Sequence, residues 1–166
     1  PFREDNDLVL GPTTKSRWSY ACSKAIDEFL GLAYHKERGL PVVVARLFTV
    51  YGPRQRPDLA IHKFTRLMES GRPVPIFGDG SSARDYTYVG DVVRGLLTAS
   101  GLREGYEVIN LGGGQMVTLT RMVALLEKLL DRKAHIERRP WHAEDLRVTW
   151  ADITKARELL DWQPTV

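Results

Sequence analysis

A tyrosine and a lysine stand four residues apart, as Tyr20 and Lys24, at a spacing that can support proton transfer. On a helix, residues at i and i+4 share one face, with their Cβ atoms about 6 Å apart. A nearby ammonium stabilises phenolate and lowers the pKa of the phenol from about 10, so that tyrosine can exchange a proton with a substrate hydroxyl. A helix-surface contact is the other interpretation, because chance gives roughly 0.25 such pairs in a chain of this composition.

The elements that must position this pair alternate between helical and strand patterns. Apolar residues recur at helical spacing from Tyr20 to Arg38, and Gly39 supplies a stop. The run Leu40–Val50 is rich in β-branched residues and predicts a strand buried on both faces, as in a parallel sheet. The remaining pattern predicts strands over 74–77, 84–89, 107–111 and 134–137, and helices over 59–69, 92–100, 119–130 (introduced by Thr118) and 153–160 (capped by Asp152).

Composition excludes several classes of protein. The chain has 166 residues, 43% of them hydrophobic, which is enough for a folded core, and no apolar run reaches the roughly 18 residues of a membrane-spanning helix. Cys22 is the single cysteine, which excludes an intrachain disulfide framework and a multi-cysteine metal site and indicates a cytoplasmic protein. The net charge of +3 is spread along the chain and does not indicate a nucleic-acid partner.

A series of short motifs in a fixed order carries a resemblance to a known family. In order they are Tyr20-x-x-x-Lys24, the segments 39–46 and 47–53, Phe77-Gly-Asp-Gly80, the segment 84–89, Asn110-Leu-Gly-Gly113, Trp150-Ala-Asp152 and Leu160-Asp-Trp-Gln-Pro164. With them the chain resembles, over essentially its whole length, the extended short-chain dehydrogenase/reductase family of NAD-dependent nucleotide-sugar epimerases and dehydratases. Within that family, segments 56–58 and 60–65 are most similar to the UDP-glucuronate 4-epimerases.

The resemblance implies an α/β fold, the C-terminal part of a Rossmann-like enzyme with its small substrate-binding subdomain. Within one partial domain, residues 1–58 would carry the remaining Rossmann-side elements and residues 59–166 mainly the substrate-binding elements. The N-terminal dinucleotide-binding half would be absent, because the sequence has no Gly-x-x-Gly-x-x-Gly phosphate loop. The glycine run Gly112–Gly114 follows a late strand and matches a family turn that has no cofactor role.

The resemblance also implies roles on the cofactor side. Tyr20 is expected to transfer the proton, while Lys24 lowers the pKa of Tyr20 and binds the nicotinamide ribose. The loop of Tyr51, Gly52 and Pro53 is expected to face the nicotinamide. In such an enzyme NAD takes a hydride from C4 of the sugar and returns it to the opposite face, but this chain alone is expected to bind NAD weakly or not at all.

Four residues are implied to bind a UDP-sugar substrate, namely Thr49, Phe77, Arg84 and Asp145. A guanidinium fork suits diphosphate oxygens, although Arg84 could instead form a surface ion pair with Asp85. Phe77 matches the nucleobase wall of the family or is a core residue, and Asp145 matches a ribose-binding carboxylate or is simply solvated. Thr49 stands where many relatives carry a substrate-binding Asn.

Three departures from the family bear on the phosphate site and on function. Gly90 stands where relatives usually carry Asp, His142 stands near a usual phosphate-contacting Arg, and Val166 precedes the family's last helix. Two hypotheses stay open, namely part of a UDP-sugar 4-epimerase and a non-catalytic remnant that serves as a nucleotide-sugar binding or interaction module. A homo-oligomer is also open, since relatives dimerise through a helix pair that includes the Tyr20 helix.

Overall fold

Helices and strands alternate along the part of the chain that the structure describes. A computed structural model describes residues 1–141 and 145–166, without the side chain of Arg17. The helices are α1 Arg17–Arg38, α2 Ala60–Glu69, α3 Val89–Ala99, α4 Leu119–Leu130 and α5 Thr154–Leu160. The strands are β1 Val42–Leu47, β2 Thr49–Tyr51, β3 Val74–Phe77, β4 Ala83–Arg84, β5 Tyr86–Tyr88, β6 Tyr106–Leu111, β7 Val117–Thr118, β8 Ile136–Arg139 and β9 Val148–Thr149.

Most strands pair in parallel. Strand β1 pairs with β6 from Val42 opposite Tyr106 to Leu47 opposite Leu111. Strand β2 pairs with β5 and β3 with β8, both in parallel, while β4 lies between the antiparallel β7 and the parallel β9. Parallel partners need long crossover connections, and helices lie within them in this chain. The predicted α/β fold is therefore confirmed.

The predicted strand over 40–50 is interrupted, and the prediction that it is buried on both faces is wrong. Strand β1 ends at Leu47 and β2 begins at Thr49, with Phe48 between them. Within the described residues β1 is half-buried, and β6 is its one strand neighbour. An apolar run shows that a strand has side chains suited to burial. Whether those side chains are buried depends on the elements that pack against the strand.

Two other strands and one helix also differ from their predicted limits. The predicted strand 84–89 is divided at Asp85, whose side chain turns into the protein core. Helix α3 begins at Val89, before the predicted residue 92. Strand β8 runs over Ile136–Arg139, two residues beyond the predicted 134–137, because its register is set by pairing with β3.

The two predicted helix caps have different outcomes. Thr118 is the N-cap of α4, where its hydroxyl accepts a hydrogen bond from the Arg121 amide at 3.1 Å. Asp152 is not the N-cap of α5, since that position belongs to Ile153. The Asp152 carboxylate still accepts a hydrogen bond from the Thr154 amide at 2.9 Å, so it satisfies an N-terminal amide from one residue further out.

Two separate apolar clusters stabilise the fold, and burial of each large side chain contributes about 1.5–3 kcal/mol. One cluster joins β6 to α3, α5 and the C-terminal segment; its buried members are Ala99, Ile109, Leu111, Ala151, Ile153, Ala156, Leu160 and Trp162. The other joins α2, β3 and α4; its buried members are Phe64, Met68, Val74, Ile76, Met122, Val123 and Leu126. The second cluster fixes the end of β3, where a cleft opens.

Neither a membrane span nor a metal cluster is found in residues 1–141 and 145–166. No helix there combines the length and apolar character needed to cross a bilayer. No group of three His, Cys, Asp or Glu side chains in the same residues could hold a metal ion. The division of the chain between residues 58 and 59 stays a prediction.

Candidate functional site

A cleft of about 230 Å³ brings together three of the four predicted substrate-binding residues, Phe77, Arg84 and Asp145. These side chains come from the end of β3, the end of β4 and the segment before β9, which are distant in sequence. The cleft is lined by Asp58, Ala60, Lys63, Phe64, Pro75, Phe77, Ser82, Arg84, Tyr86, Leu119, Trp141 and Asp145. It therefore combines an apolar wall with two cationic and two anionic side chains.

The Arg84 guanidinium is held at the cleft by a carboxylate and two carbonyls. Its Nη2 donates to Asp145 Oδ1 at 3.0 Å, and its Nη1 donates to the Ala83 and Arg147 carbonyl oxygens at 2.9 and 3.3 Å. The Arg84 side chain is 23% exposed and that of Asp145 is 54% exposed. The alternative that pairs Arg84 with Asp85 is wrong, because Asp85 faces the opposite direction, into the core.

Asp85 is a fully buried carboxylate that ties the strands of the cleft to two loops. It accepts hydrogen bonds from the Gly113 and Gly114 amides, and from the Ala151 amide at 3.1 Å. Burial raises the pKa of Asp85, and these hydrogen bonds oppose that rise by stabilising the charged form. The carboxylate thus fixes β4, which carries Arg84, against the segment that follows β9.

The glycine run 112–114 serves this internal contact. A Cβ atom on Gly112 would lie 2.4 Å from the Ala151 Cβ, and one on Gly113 would lie 2.6 Å from the Tyr86 carbonyl oxygen. Only glycine allows the backbone to approach this closely. The amides that the run could offer to a phosphate are directed at Asp85 instead.

Sequence reasoning missed several residues of the cleft. Lys63 lies on α2 one position before Phe64, and Tyr86 stands two positions from Arg84 on the neighbouring strand segment, so alternation and helical spacing could have indicated both. Trp141 had no such signal. It reaches the cleft because β8 pairs with β3, and that pairing cannot be read from local periodicity.

The predicted catalytic pair lies on α1, outside this cleft. Tyr20 is 71% exposed, and the Lys24 Nζ lies 6.0 Å from the centre of the Tyr20 ring. Lys24 also forms an ion pair with Asp27 at 2.7 Å. The hydrogen bond that Lys24 donates to the Asp27 carboxylate raises the pKa of Lys24, with a smaller electrostatic contribution from Tyr20. The two side chains are close enough to interact, and both face solvent.

The predicted nicotinamide-facing loop borders a second cleft of about 610 Å³. Tyr51 and Gly52 line it together with one face of α2, while Pro53 is exposed outside it. Gly52 has a φ of +136°, and a Cβ atom there would lie 2.6 Å from Val89 Cγ1, so glycine is required. Burial raises the pKa of Tyr51, with smaller contributions from Asp91 and Tyr88.

Thr49 lies beside the first cleft without lining it. In the parallel pairing of β2 with β5, Thr49 is opposite Tyr86, which does line the cleft. The Thr49 amide donates to the Asp85 carbonyl at 3.1 Å.

Two positions at which the sequence departs from the usual family pattern are His142 and Gly90. His142 lies outside the described residues. At Gly90, a Cβ atom would lie 2.9 Å from the Tyr88 ring, so a larger residue would press on it.

Parallel strand pairs with helices in their connections define an α/β protein, with one cleft at the carboxyl end of β3 and a second at the end of β2. In such proteins the carboxyl ends of the strands are the usual place for a ligand. Residues 1–112 match the family model described as the NAD dependent epimerase/dehydratase family. The chain therefore belongs to the NAD-dependent epimerase/dehydratase family.

Similar proteins in that family include UDP-glucuronate 4-epimerases. Over its whole length the chain is 44% identical to a UDP-glucuronate 4-epimerase from Thermodesulfobacterium geofontis, of which it covers 50%. It is similar to the crystal structure of a UDP-glucuronic acid 4-epimerase from Bacillus cereus in complex with UDP-glucuronic acid and NAD. The TM-score is 0.83 and the identity 41%, over 89% of this chain and 48% of that one. The chain thus spans about half the length of these relatives.

Proposed function

We propose that this chain supplies the substrate-binding part and the proton-transferring pair of a UDP-sugar 4-epimerase that works with NAD. The observation that carries the proposal is the convergence of Phe77, Arg84 and Asp145 on one cleft. These three side chains come from separate segments and offer an aromatic ring, a guanidinium and a carboxylate. A nucleoside diphosphate presents the complementary groups, namely a base, two phosphates and a ribose.

Each part of the cleft has a proposed partner on the ligand. The guanidinium of Arg84 binds the diphosphate, since charge-assisted hydrogen bonds to phosphate are strong, and Lys63 adds a second cation to the lining of the cleft. Phe77 forms one wall for the nucleobase, and the Asp145 carboxylate accepts from the ribose hydroxyls. Thr49, at the edge of the cleft beside Tyr86, lies towards the sugar.

The reaction is assigned to the phenol of Tyr20. In its phenolate form, which the Lys24 ammonium stabilises, Tyr20 takes the proton of the sugar's 4-hydroxyl and becomes a neutral phenol, and it later returns that proton; Lys24 also binds the nicotinamide ribose. NAD, when bound, supplies the exchange of a hydride with C4 of the sugar. The residues of this chain that would contact it are Tyr20, Lys24 and the loop of Tyr51, Gly52 and Pro53.

A second candidate is a nucleotide-sugar binding module without turnover. The ion pair of Lys24 with Asp27 at 2.7 Å favours it, because that contact engages the ammonium that the proton transfer needs. The two candidates share the cleft and differ in the role of Tyr20, so they are separated by turnover rather than by binding.

Titration of the chain with UDP, UDP-glucuronate and free glucuronate tests the cleft. UDP and UDP-glucuronate are expected to shift the NMR signals of cleft residues, and free glucuronate is not. Replacement Arg84→Ala is expected to weaken UDP binding by about tenfold to 150-fold, which corresponds to the loss of a charge-assisted hydrogen bond of about 1.5–3 kcal/mol. The matched control is Arg3→Ala, which removes an exposed arginine that is paired with Asp5 at 3.0 Å and does not line the cleft.

Two results would contradict the proposal. One is a free sugar that shifts the same signals as strongly as UDP does. The other is an Arg84→Ala variant that binds UDP as tightly as the Arg3→Ala control, since the diphosphate would then have no contact with the guanidinium.

A further inference from the structure

An indole without an assigned role lies in the cleft. Trp141 lines the cleft together with Phe77. Strands β3 and β8 pair in parallel with Phe77 opposite Arg139, so Trp141 follows two residues beyond the paired end of the neighbouring strand. Two adjacent strands therefore each deliver an aromatic side chain to the same cleft.

The indole of Trp141 packs against a glycine, Gly78. Gly78 follows Phe77 and has a φ of +70°, a conformation that other residues rarely adopt. A Cβ atom on Gly78 would lie 3.1 Å from Cε3 of Trp141 and 3.7 Å from its Cβ. The absent side chain at residue 78 is therefore what lets the indole pack onto the turn after β3.

The indole of Trp141 also interacts with the guanidinium of Arg147. The guanidinium of Arg147 lies 5.9 Å from the centre of the Trp141 ring, within the range of a cation–π interaction. Neither Arg147 nor Gly78 lines the cleft, whereas Trp141 does. The indole is thus supported by groups outside the cleft and presents surface inside it.

We propose that Trp141 is a stacking wall for the base of the bound nucleotide and determines the selectivity of the cleft for ligands that carry an aromatic base. The inference rests on the proposed function, namely that the cleft binds a nucleoside diphosphate. The cationic groups of the cleft, Arg84 and Lys63, recognise phosphate and would accept it with or without a base. Aromatic side chains can distinguish a nucleotide from a bare diphosphate, because a base offers a ring face for stacking, and Trp141 lines the cleft with three other aromatic residues, Phe64, Phe77 and Tyr86.

Binding of UDP and of inorganic pyrophosphate to the 166-residue chain tests the assignment. Pyrophosphate carries the two phosphates and no base. Replacement Trp141→Ala is expected to weaken UDP binding by about fivefold to 150-fold, the usual effect of removing one base-stacking aromatic residue, and to change pyrophosphate binding by less than about twofold. Replacement Trp141→Phe keeps a ring and is expected to retain UDP binding within about threefold.

Tryptophan fluorescence gives an independent readout. Stacking of uracil on the indole is expected to quench part of the emission of the wild-type chain, and this quench is lost in Trp141→Phe even though UDP still binds. Trp150→Phe, which removes an indole that does not line the cleft, is the matched control and is expected to retain the quench.

The outcomes separate this inference from the proposed function. If Trp141→Ala binds UDP within twofold of the wild-type chain while Arg84→Ala weakens it, the stacking role is overturned and the nucleotide cleft stands. If Trp141→Ala weakens pyrophosphate as much as UDP, Trp141 supports the cleft's shape rather than the base, and the inference is likewise overturned. If the wild-type chain binds neither ligand, the proposed function fails and the stacking role fails with it.

Discussion

Arg84 and Asp145, which are 61 positions apart in sequence, are joined by a hydrogen bond of 3.0 Å at the rim of the cleft. Both residues belong to the proposed nucleotide site, so the structure pairs two ligand-binding groups with each other. A phosphate that binds Arg84 must therefore compete with the Asp145 carboxylate or share the guanidinium with it.

Replacement Asp145→Asn is expected to strengthen the binding of pyrophosphate by about 1.5-fold to fivefold. The reason is that a partly exposed ion pair contributes about 0.2–1 kcal/mol, and this competition ends when the charge is removed. Calorimetric titration measures the change, with Asp5→Asn, which breaks the exposed pair with Arg3, as the control. Weaker pyrophosphate binding in Asp145→Asn would mean that the carboxylate positions Arg84 rather than competing for it.

The isolated chain is expected to bind NAD weakly or not at all. A dinucleotide pyrophosphate is normally held by loop amides at a helix N-terminus, and the amides of Gly113 and Gly114 are directed at Asp85 instead. Calorimetry or cofactor fluorescence measures the affinity, with UDP as the reference ligand. A dissociation constant of about 1 μM, equivalent to about 8 kcal/mol, would show that the chain contains a cofactor site elsewhere.

Replacement Tyr20→Phe is expected to reduce turnover by about 100-fold or more in a protein that joins this chain to a dinucleotide-binding half. The dissociation constant of the UDP-sugar should stay within about twofold, because the phenol acts on a proton that moves in the transition state. Tyr34→Phe is the matched control, since Tyr34 is also an exposed tyrosine of α1. Near-normal turnover of Tyr20→Phe would remove Tyr20 from the mechanism and favour the binding-module candidate.

A buried carboxylate gives a prediction for stability against pH. Asp91, with a side chain 1% exposed, accepts hydrogen bonds from the Thr165 amide and hydroxyl and from the Val166 amide, and pairs with Arg94 at 2.8 Å. Burial opposes its ionisation, but the contacts from Thr165, Val166 and Arg94 outweigh burial and lower the pKa of Asp91. The charged carboxylate is therefore the form that the folded chain stabilises.

Replacement Asp91→Asn is expected to lower the free energy of unfolding by about 1.5–3 kcal/mol at neutral pH. Because the folded-state pKa lies below the unfolded value near 4, the contribution of Asp91 is complete above about pH 4 and is lost as the pH falls through the lowered pKa. Urea denaturation of both proteins over a pH series measures the difference, with the exposed Asp7→Asn as the control. A difference that is the same at pH 7 and at pH 2.5 would contradict this account.

Local pattern alone predicted much of the fold and part of the site. The helical spacing around Tyr20 and Lys24, the strand Val74–Phe77 and the helix Leu119–Leu130 with its Thr118 cap follow from residues close in sequence. The resemblance to the family, carried by the ordered motifs, then selected Phe77, Arg84 and Asp145 as candidates. Propensity, capping and periodicity act over a few residues, and that is why these features could be predicted from the sequence.

Only the tertiary structure decided the partner of each of these side chains. The adjacent residues Arg84 and Asp85 have side chains on opposite faces of the chain at β4. Arg84 faces the cleft and Asp85 is buried in the core. The arrival of Trp141 beside Phe77 depends on the register of β8 against β3. Pairings between distant strands are set by the closure of the whole fold, and no short stretch of sequence contains them.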